Sequence, residues 1–347
     1  MIKVLIVDDS AFMRTALSNM LSSDPRIKVI GTARDGVEAV EKVQSLKPDI
    51  VTLDVEMPRM DGLEALRRIM AVHPVPVLMV SSITTEGAQV TLDALDLGAV
   101  DFIPKNLSEL SFDILKIKED LIAKIKYIAT RGMAAGLPRP RRAPAEVIAM
   151  PGRTTGERRV GVLAIGTSTG GPKALQDIIP RLPRDFPVPV LIAQHMPPSF
   201  TGPFAERLNN LSQITVKEAD EGEPVVPGVA LLAPGRGHMR VVKKSVLETV
   251  ASISEKERGF IYRPSVDALM LSAARCYPGR TLGVILTGMG NDGLMGVIEV
   301  KRSGGRVFAQ DEETSAVYGM PKAVIDARLA DKVLSIEKMA GEIINAV

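Results

Sequence analysis

The sequence predicts an α/β protein of two domains with largely parallel sheets, and three observations carry that expectation. Short apolar runs alternate with amphipathic stretches along most of the chain, the pattern of strands covered on both faces by helices. That pattern is interrupted once, at residues 131–159, by a segment rich in Pro, Gly and Arg. The chain has 347 residues, more than one usual domain holds.

In the first domain the strands are "KVLIVDD", "KVIGTA", "DIVTLDV", "PVLMVSS" and "AVDFIPK", separated by helical segments such as "SAFMRTALSNMLSS" and "GLEALRRIMAVH". Residues 131–159 hold four prolines, four glycines and seven arginines with no sustained period. Such a composition cannot bury a core and reads as a solvated linker. In the second domain the strands include "VGVLAIGTS", "PVLIAQH", "VALLAPG", "TLGVILTGMG" and "RVFAQDE". Parallel sheets of this kind place their chemistry at the carboxyl ends of the strands, so strand-end residues are the candidates.

Composition excludes several classes. A hydrophobic content of 46% fills two cores, and 43 Lys plus Arg against 41 Asp plus Glu leave no global field toward nucleic acid or membrane. Aromatics at 3% and no Trp offer few platforms for bases. The single cysteine, Cys276, excludes an internal disulfide and a cysteine-built zinc site, and reads as a small buried residue on a helix. "MIKVLIVDD" reads as a strand rather than a signal peptide, and no stretch approaches the roughly 18 apolar residues of a membrane span. The expectation is a soluble cytoplasmic protein with no nucleic-acid partner and no membrane insertion.

In the first domain Asp8 and Asp9 close the first strand, Asp54 the third, Ser81 the fourth and Lys105 the fifth. A parallel sheet brings all five to one edge. Three carboxylates repel one another there unless a hard cation such as Mg²⁺ holds them, and a lysine opposite them suits a phosphoryl oxygen. A single Asp at a strand end reads equally well as a helix N-cap; five polar strand ends do not. The arrangement resembles the receiver domain of two-component response regulators, a flavodoxin-like fold, over residues 1–122. The resemblance implies Asp54 as phosphoacceptor, and Mg²⁺ at Asp8, Asp9, Asp54 and the Glu56 carbonyl. It also implies Ser81 and Lys105 at the phosphoryl group and Phe102 as the switch aromatic. Many receivers carry proline after this lysine, whereas here Asn106 follows, which leaves the usual cis peptide unsupported.

In the second domain "GTSTG" matches the G-x-S-x-G turn that mounts a serine above a sheet, and the longer "GTSTGGPKA" also reads as a loose phosphate loop. A dinucleotide site prefers an acid at the end of the next strand, but that strand ends in His195, the residue a serine needs. Of the other two histidines, His73 reads as a polar loop residue and His238 as a structural one. Asp292, after "VILTGMGN", is the candidate acid and equally a helix N-cap; Asp267 and Asp311 compete with it. Ser265, preceded by proline, reads as a helix cap. Backbone N–H groups at Thr169 and Met289, in glycine-rich turns, are candidate oxyanion donors.

"AIGTSTGGPKAL", "AQHMPPSFT", "RPSVDALM" and "LTGMGNDG" together resemble the chemotaxis-type protein-glutamate methylesterase and glutamine deamidase family, CheB, nearly from end to end. The resemblance implies a receiver (1–122), a helix end and linker (123–157) and a doubly wound esterase domain (158–347). It assigns Ser168 as nucleophile, His195 as base and Asp292 as orienting acid. It further implies Mg²⁺ for receiver phosphorylation, no cofactor for ester hydrolysis, a histidine kinase as phosphodonor and the cytoplasmic helices of methyl-accepting chemoreceptors as substrate. A receiver that restrains the esterase by covering its crevice is implied as well. The competing reading is a response regulator whose second domain only binds a nucleotide or a protein, and such a domain would not react with a serine-directed phosphonate.

Overall fold

Five apolar runs of the N-terminal half form one parallel sheet in the computed structural model, which describes residues 1–82, 84–105, 111–132, 160–255 and 259–347, the side chains at 85, 111–117 and 130–132 aside. The chain divides into two units, Met1–Arg141 and Arg142–Val347. Most of the Arg/Pro-rich stretch, from 133 to 159, and the peptide after Lys105 lie outside the described residues.

The first unit alternates β1 (Ile2–Val7), α1 (Ala11–Ser22), β2 (Ile27–Ala33), α2 (Gly36–Leu46), β3 (Ile50–Asp54), α3 (Gly62–Val72), β4 (Val77–Ser81), α4 (Thr85–Asp96), β5 (Asp101–Pro104) and α5 (Ser111–Gly132). Ser10, Asp35, Asp61 and Thr84 start the first four helices, each side chain accepting from first-turn N–H groups, which satisfies donors the helix cannot. The strand order is β2-β1-β3-β4-β5 with every pairing parallel. Val4, Ile6, Ile50 and Leu78 pack with Leu17 and Leu21 of α1 and with Leu121, Ile125, Ile128 and Ala129 of α5. The helix end expected after residue 122 is therefore part of this core. The strand order turns back on itself between β1 and β3, where such sheets open a crevice at their carboxyl edge.

The second unit runs β6 (Val162–Thr167), α6 (Gly171–Ile178), β7 (Val190–Gln194), α7 (Pro198–Leu211), β8 (Thr215–Glu218), β9 (Val229–Leu232), β10 (His238–Lys243), β11 (Thr249–Ser254), α8 (Val266–Cys276), β12 (Thr281–Ile285), α9 (Leu294–Arg302), β13 (Arg306–Gln310), α10 (Met320–Asp326), β14 (Lys332–Leu334) and α11 (Ile336–Ala346). Seven strands form a parallel sheet in the order β14-β13-β12-β6-β7-β9-β8, and β10 and β11 form a separate antiparallel hairpin. The hairpin is the one departure from parallel pairing among the described strands. It buries Met239, Val241 and Ala251 against α8 residues such as Leu269 and Ala273. Cys276 ends α8 half-buried, its Sγ 3.2 Å from the Val241 carbonyl. Chain order reverses between β6 and β12, so the crevice of this sheet lies where these two strands end. Among the described residues no helix is long and apolar enough to cross a membrane.

Candidate active site

β6 carries a fully buried run into Thr167, and the chain turns at Ser168 toward α6. The left-handed residue of that turn is Gly170 (φ +75°), where a Cβ would sit 2.4 Å from that of Ala316. Only glycine fits there, and the serine itself lies outside the left-handed region. The Ser168 N–H and the Thr167 hydroxyl both donate to the Thr287 carbonyl, at 3.0 and 2.8 Å, tying the turn to the segment after β12. Thr287 in turn donates through its hydroxyl to the Thr169 carbonyl at 2.8 Å, and its own N–H donates to Gln310 Oε1 at 2.8 Å.

His195 follows β7 directly. Its Nδ1 lies 3.1 Å from Ser168 Oγ and its Nε2 2.7 Å from Asp292 Oδ2. Gln194, 2% exposed, donates one amide to the carbonyls of Ser168 (2.9 Å) and His195 (3.0 Å), so a single buried side chain joins the ends of β6 and β7. One face of the imidazole is covered by Tyr262, with ring centroids 4.4 Å apart and planes 12° apart.

Asp292 does not cap α9, whose N-cap is Gly293. Its carboxylate instead faces the start of α8, accepting from Ser265 Oγ (3.0 Å), Val266 N–H (2.8 Å) and Asp267 N–H (3.1 Å), and also from Gly293 N–H (3.1 Å). Burial pushes this carboxyl up, but the hydrogen bond and charge of His195 and the Val266 and Asp267 N–H groups together hold it below its ordinary value. A helix N-terminus favours the anion in the same sense.

The side chains of the competing candidates take other partners or support Asp292. Asp267 Oδ1 accepts from Gly296 N–H at 2.7 Å, and its carboxyl is pushed up to about 6, first by burial and then by the neighbouring Asp292 charge. Asp311 accepts from the N–H and hydroxyl of Thr314. Ser265 caps α8, accepting from Ala268 N–H at 3.3 Å while donating to Asp292. His238, 1% exposed, accepts at Nδ1 from Ser265 N–H at 3.1 Å. His73 caps α3 in the first unit. The Thr169 and Met289 N–H groups donate to no protein acceptor among the described residues. A Cβ at Gly288 would fall 2.9 Å from Ser168 Cβ, so the backbone entering Met289 runs against the serine.

Sequence reasoning passed over Gln194, Tyr262 and Thr287. Gln194 had a signal, since it is a polar residue closing the apolar run "VLIA" beside the histidine. Tyr262 and Thr287 act through tertiary contacts that no spacing encodes.

In the first unit Asp8 and Asp54 are buried and Asp9 is exposed, and one oxygen of each lies within 4.8 Å of the others. Lys105 Nζ sits 3.0 Å from Asp8 Oδ2 and 2.5 Å from Asp54 Oδ2. Burial pushes the Asp54 carboxyl up to about 6 and Asp8 adds to the rise, against the pull of Lys105 and the Glu56 N–H. Burial pulls the Lys105 amine down, but its two carboxylate partners raise it above its usual value. Ser81 is buried, its hydroxyl within reach of the Ser82 and Gly87 carbonyls. Phe102 is also buried, with Lys124 Nζ 5.9 Å from its ring centroid. An all-oxygen cluster of three carboxylates, two buried and one exposed, with one ammonium against them, fits a hard divalent cation.

Comparison with known proteins gives the same division. The CheB methylesterase family matches residues 163–343, and the response regulator receiver domain matches residues 4–112. A protein-glutamate methylesterase/protein-glutamine glutaminase of Oleidesulfovibrio alaskensis is 51% identical over 100% of both chains. One of Pyrococcus horikoshii is 46% identical, covering 100% of this chain and 94% of its own. The solved catalytic domain of the Thermotoga maritima CheB methylesterase is 44% identical, with a TM-score of 0.53, and covers 55% of this chain and 100% of its own. The chain belongs to the CheB methylesterase family and carries its response regulator receiver domain at the N-terminal end.

Proposed function

We propose that the second unit hydrolyses methyl esters of glutamate side chains, and deamidates glutamines, on the cytoplasmic helices of chemoreceptors, under control of phosphorylation in the first unit. The observation that carries this reading is the continuous hydrogen-bonded chain from Ser168 Oγ through His195 to Asp292. Ser168 Oγ attacks the ester carbonyl carbon while its proton passes to His195 Nδ1. The tetrahedral adduct collapses by breaking the bond to the methoxy oxygen, which takes that proton and leaves as methanol. Water then attacks the acyl-enzyme, again losing a proton to His195, and the freed glutamate departs as Ser168 recovers its hydrogen. For glutamine the leaving group is ammonia.

Asp292 accepts from Nε2–H, which leaves the Nδ1 lone pair facing the serine, and it stabilises the imidazolium that forms. Thr169 and Met289 N–H groups receive the oxyanion, each donor contributing about 3 kcal/mol in comparable sites. Incubating the protein with methyl-labelled receptor and counting released methanol tests the activity directly. The absence of methanol from a folded, phosphodonor-treated protein would overturn it.

Asp54 is the phosphoacceptor in this reading, with a histidine kinase as phosphate source and Ser81, Phe102 and Lys105 responding to the phosphoryl group. Asp8, Asp9, Asp54 and the Glu56 carbonyl would hold Mg²⁺, which when bound offsets the charge of the phosphoryl oxygens and of the acids. A labelled phosphodonor is expected to place one hydroxylamine-sensitive phosphoryl group on the protein, and none on Asp54→Asn or in the presence of a chelator. Undiminished labelling of Asp54→Asn would remove Asp54 from the role.

The receiver restrains the esterase until phosphorylated. A tenfold activation requires only about 1.4 kcal/mol of differential stabilisation between two states, within reach of one charged group. A fragment starting near residue 156 is expected to release methanol faster than unphosphorylated full-length protein, and phosphodonor should raise only the latter. Equal basal rates would show that the receiver imposes no restraint.

A further inference from the structure

The imidazole of His195 has both ring nitrogens committed, Nδ1 to Ser168 and Nε2 to Asp292, but two in-plane bonds leave a ring free to rock about the line joining them. The stacked ring of Tyr262, 4.4 Å away and 12° from parallel, blocks that motion on one side. The tyrosine is well placed to be a fixed surface. It is half-buried, and it lies three residues before Ser265, which caps α8 and donates to Asp292. Its phenol end reaches the turn after β12, where a Cβ on Gly290 (φ +82°) would come within 3.1 Å of the hydroxyl oxygen. One short segment thus touches the base, the acid's anchor and the turn beside Met289.

We infer that Tyr262 is a positioning residue of the hydrolytic site, its ring face holding the plane of His195 and favouring the charged imidazolium of the transition state over the neutral ring. The inference rests on His195 being the base in the reading above. An aromatic face attracts a cation more than a neutral ring, so the contact strengthens as the proton leaves Ser168. An interaction that grows toward the transition state acts on kcat and leaves KM alone. The ring face, rather than the hydroxyl, carries the effect.

The test is methanol release from methylated receptor by full-length, phosphodonor-treated protein carrying Tyr262→Phe, Tyr262→Leu or Tyr262→Met, beside His195→Ala. Tyr262→Phe is expected within about threefold of wild type. The two aliphatic variants should lose kcat by roughly 3- to 30-fold, the range a cation–π contact spans, at unchanged KM. Should Tyr262→Leu fail to fold, Tyr262→Met carries the same expectation, and should both fail, a wild-type kcat in Tyr262→Phe is still required. Wild-type kcat in a folded aliphatic variant would overturn the inference. So would a rise in KM at constant kcat, which would make Tyr262 a substrate contact, or an equal loss in Tyr262→Phe, which would make the hydroxyl the active group. An active His195→Ala would instead overturn the reading of the base, so the two failures are distinguishable.

Discussion

Ser168→Ala is expected to lower methanol release by about 10⁶-fold, the scale on which a hydrolytic serine acts in comparable triads, with no loss of fold. Without Oγ no acyl-enzyme forms, and what remains is the binding and polarisation expected of the proposed oxyanion donors at Thr169 and Met289. The fold should be indifferent for a local reason. Ser168 is half-buried and its hydroxyl bonds only to His195 Nδ1 among the described residues, whereas the turn is held by backbone contacts of Ser168 and by Gln194, Thr167 and Thr287. Its stability should therefore stay within about 0.5 kcal/mol of wild type, as for substitutions away from packed cores. His195→Ala should fall nearly as far, and the double variant little further, because members of one catalytic unit are not additive. Thermal melts and methanol counts on the three variants check both halves. More than about 1% of wild-type turnover in folded Ser168→Ala, against the loss expected of a nucleophile, would sink the assignment.

Strand ends were legible because a parallel sheet buried on both faces leaves its strands almost purely apolar, so each polar residue closing such a run stands out. Asp54 after "IVTL", Ser81 after "VLMV" and His195 beside "VLIAQ" are of this kind. The hairpin β10–β11 was harder to read. In β10 buried Met239 and Val241 flank half-buried Arg240 before exposed Val242 and Lys243, a half-covered pattern that belongs to neither the parallel runs nor the helices around it. The choice between Asp267 and Asp292 was only partly legible: Asp292 follows a long apolar run and so stood as the candidate acid, but Asp267, in the first turn of α8, competed with it. Packing separates them. Gly296 N–H donates to Asp267, while the N-terminus of α8 and His195, from the end of β7, face Asp292. Gly166 lies against Val266, where a Cβ would fall 2.1 Å from a valine methyl, and this close approach of β6 to the start of α8 brings serine and acid into one crevice.

Asp292→Asn is expected to lower kcat/KM by about 10⁴-fold, the cost of the wrong imidazole tautomer in comparable triads, and to destabilise the second unit. The wild-type carboxylate only accepts. Oδ1 takes Ser265 Oγ, Asp267 N–H and Gly293 N–H, and Oδ2 takes Val266 N–H and His195 Nε2. An asparagine must turn its NH₂ toward one of these two sets. Facing the first set it meets two backbone donors and a hydroxyl. Facing the second it meets one backbone donor and a ring nitrogen that can give up its proton, which is the smaller loss. The imidazole then carries its hydrogen on Nδ1, pointing at Ser168, and cannot accept from it. The Val266 N–H is left buried without an acceptor, a cost of roughly 1–3 kcal/mol. Asp267→Asn is the matched control. Its carboxyl, pushed up to about 6 by burial and by Asp292, accepts from Gly296, and its loss should change kcat/KM by less than about tenfold, far short of the tautomer effect. Activity and melting measured on both variants separate the two acids: a folded Asp292→Asn within tenfold of wild type beside an inactive Asp267→Asn would exchange their roles.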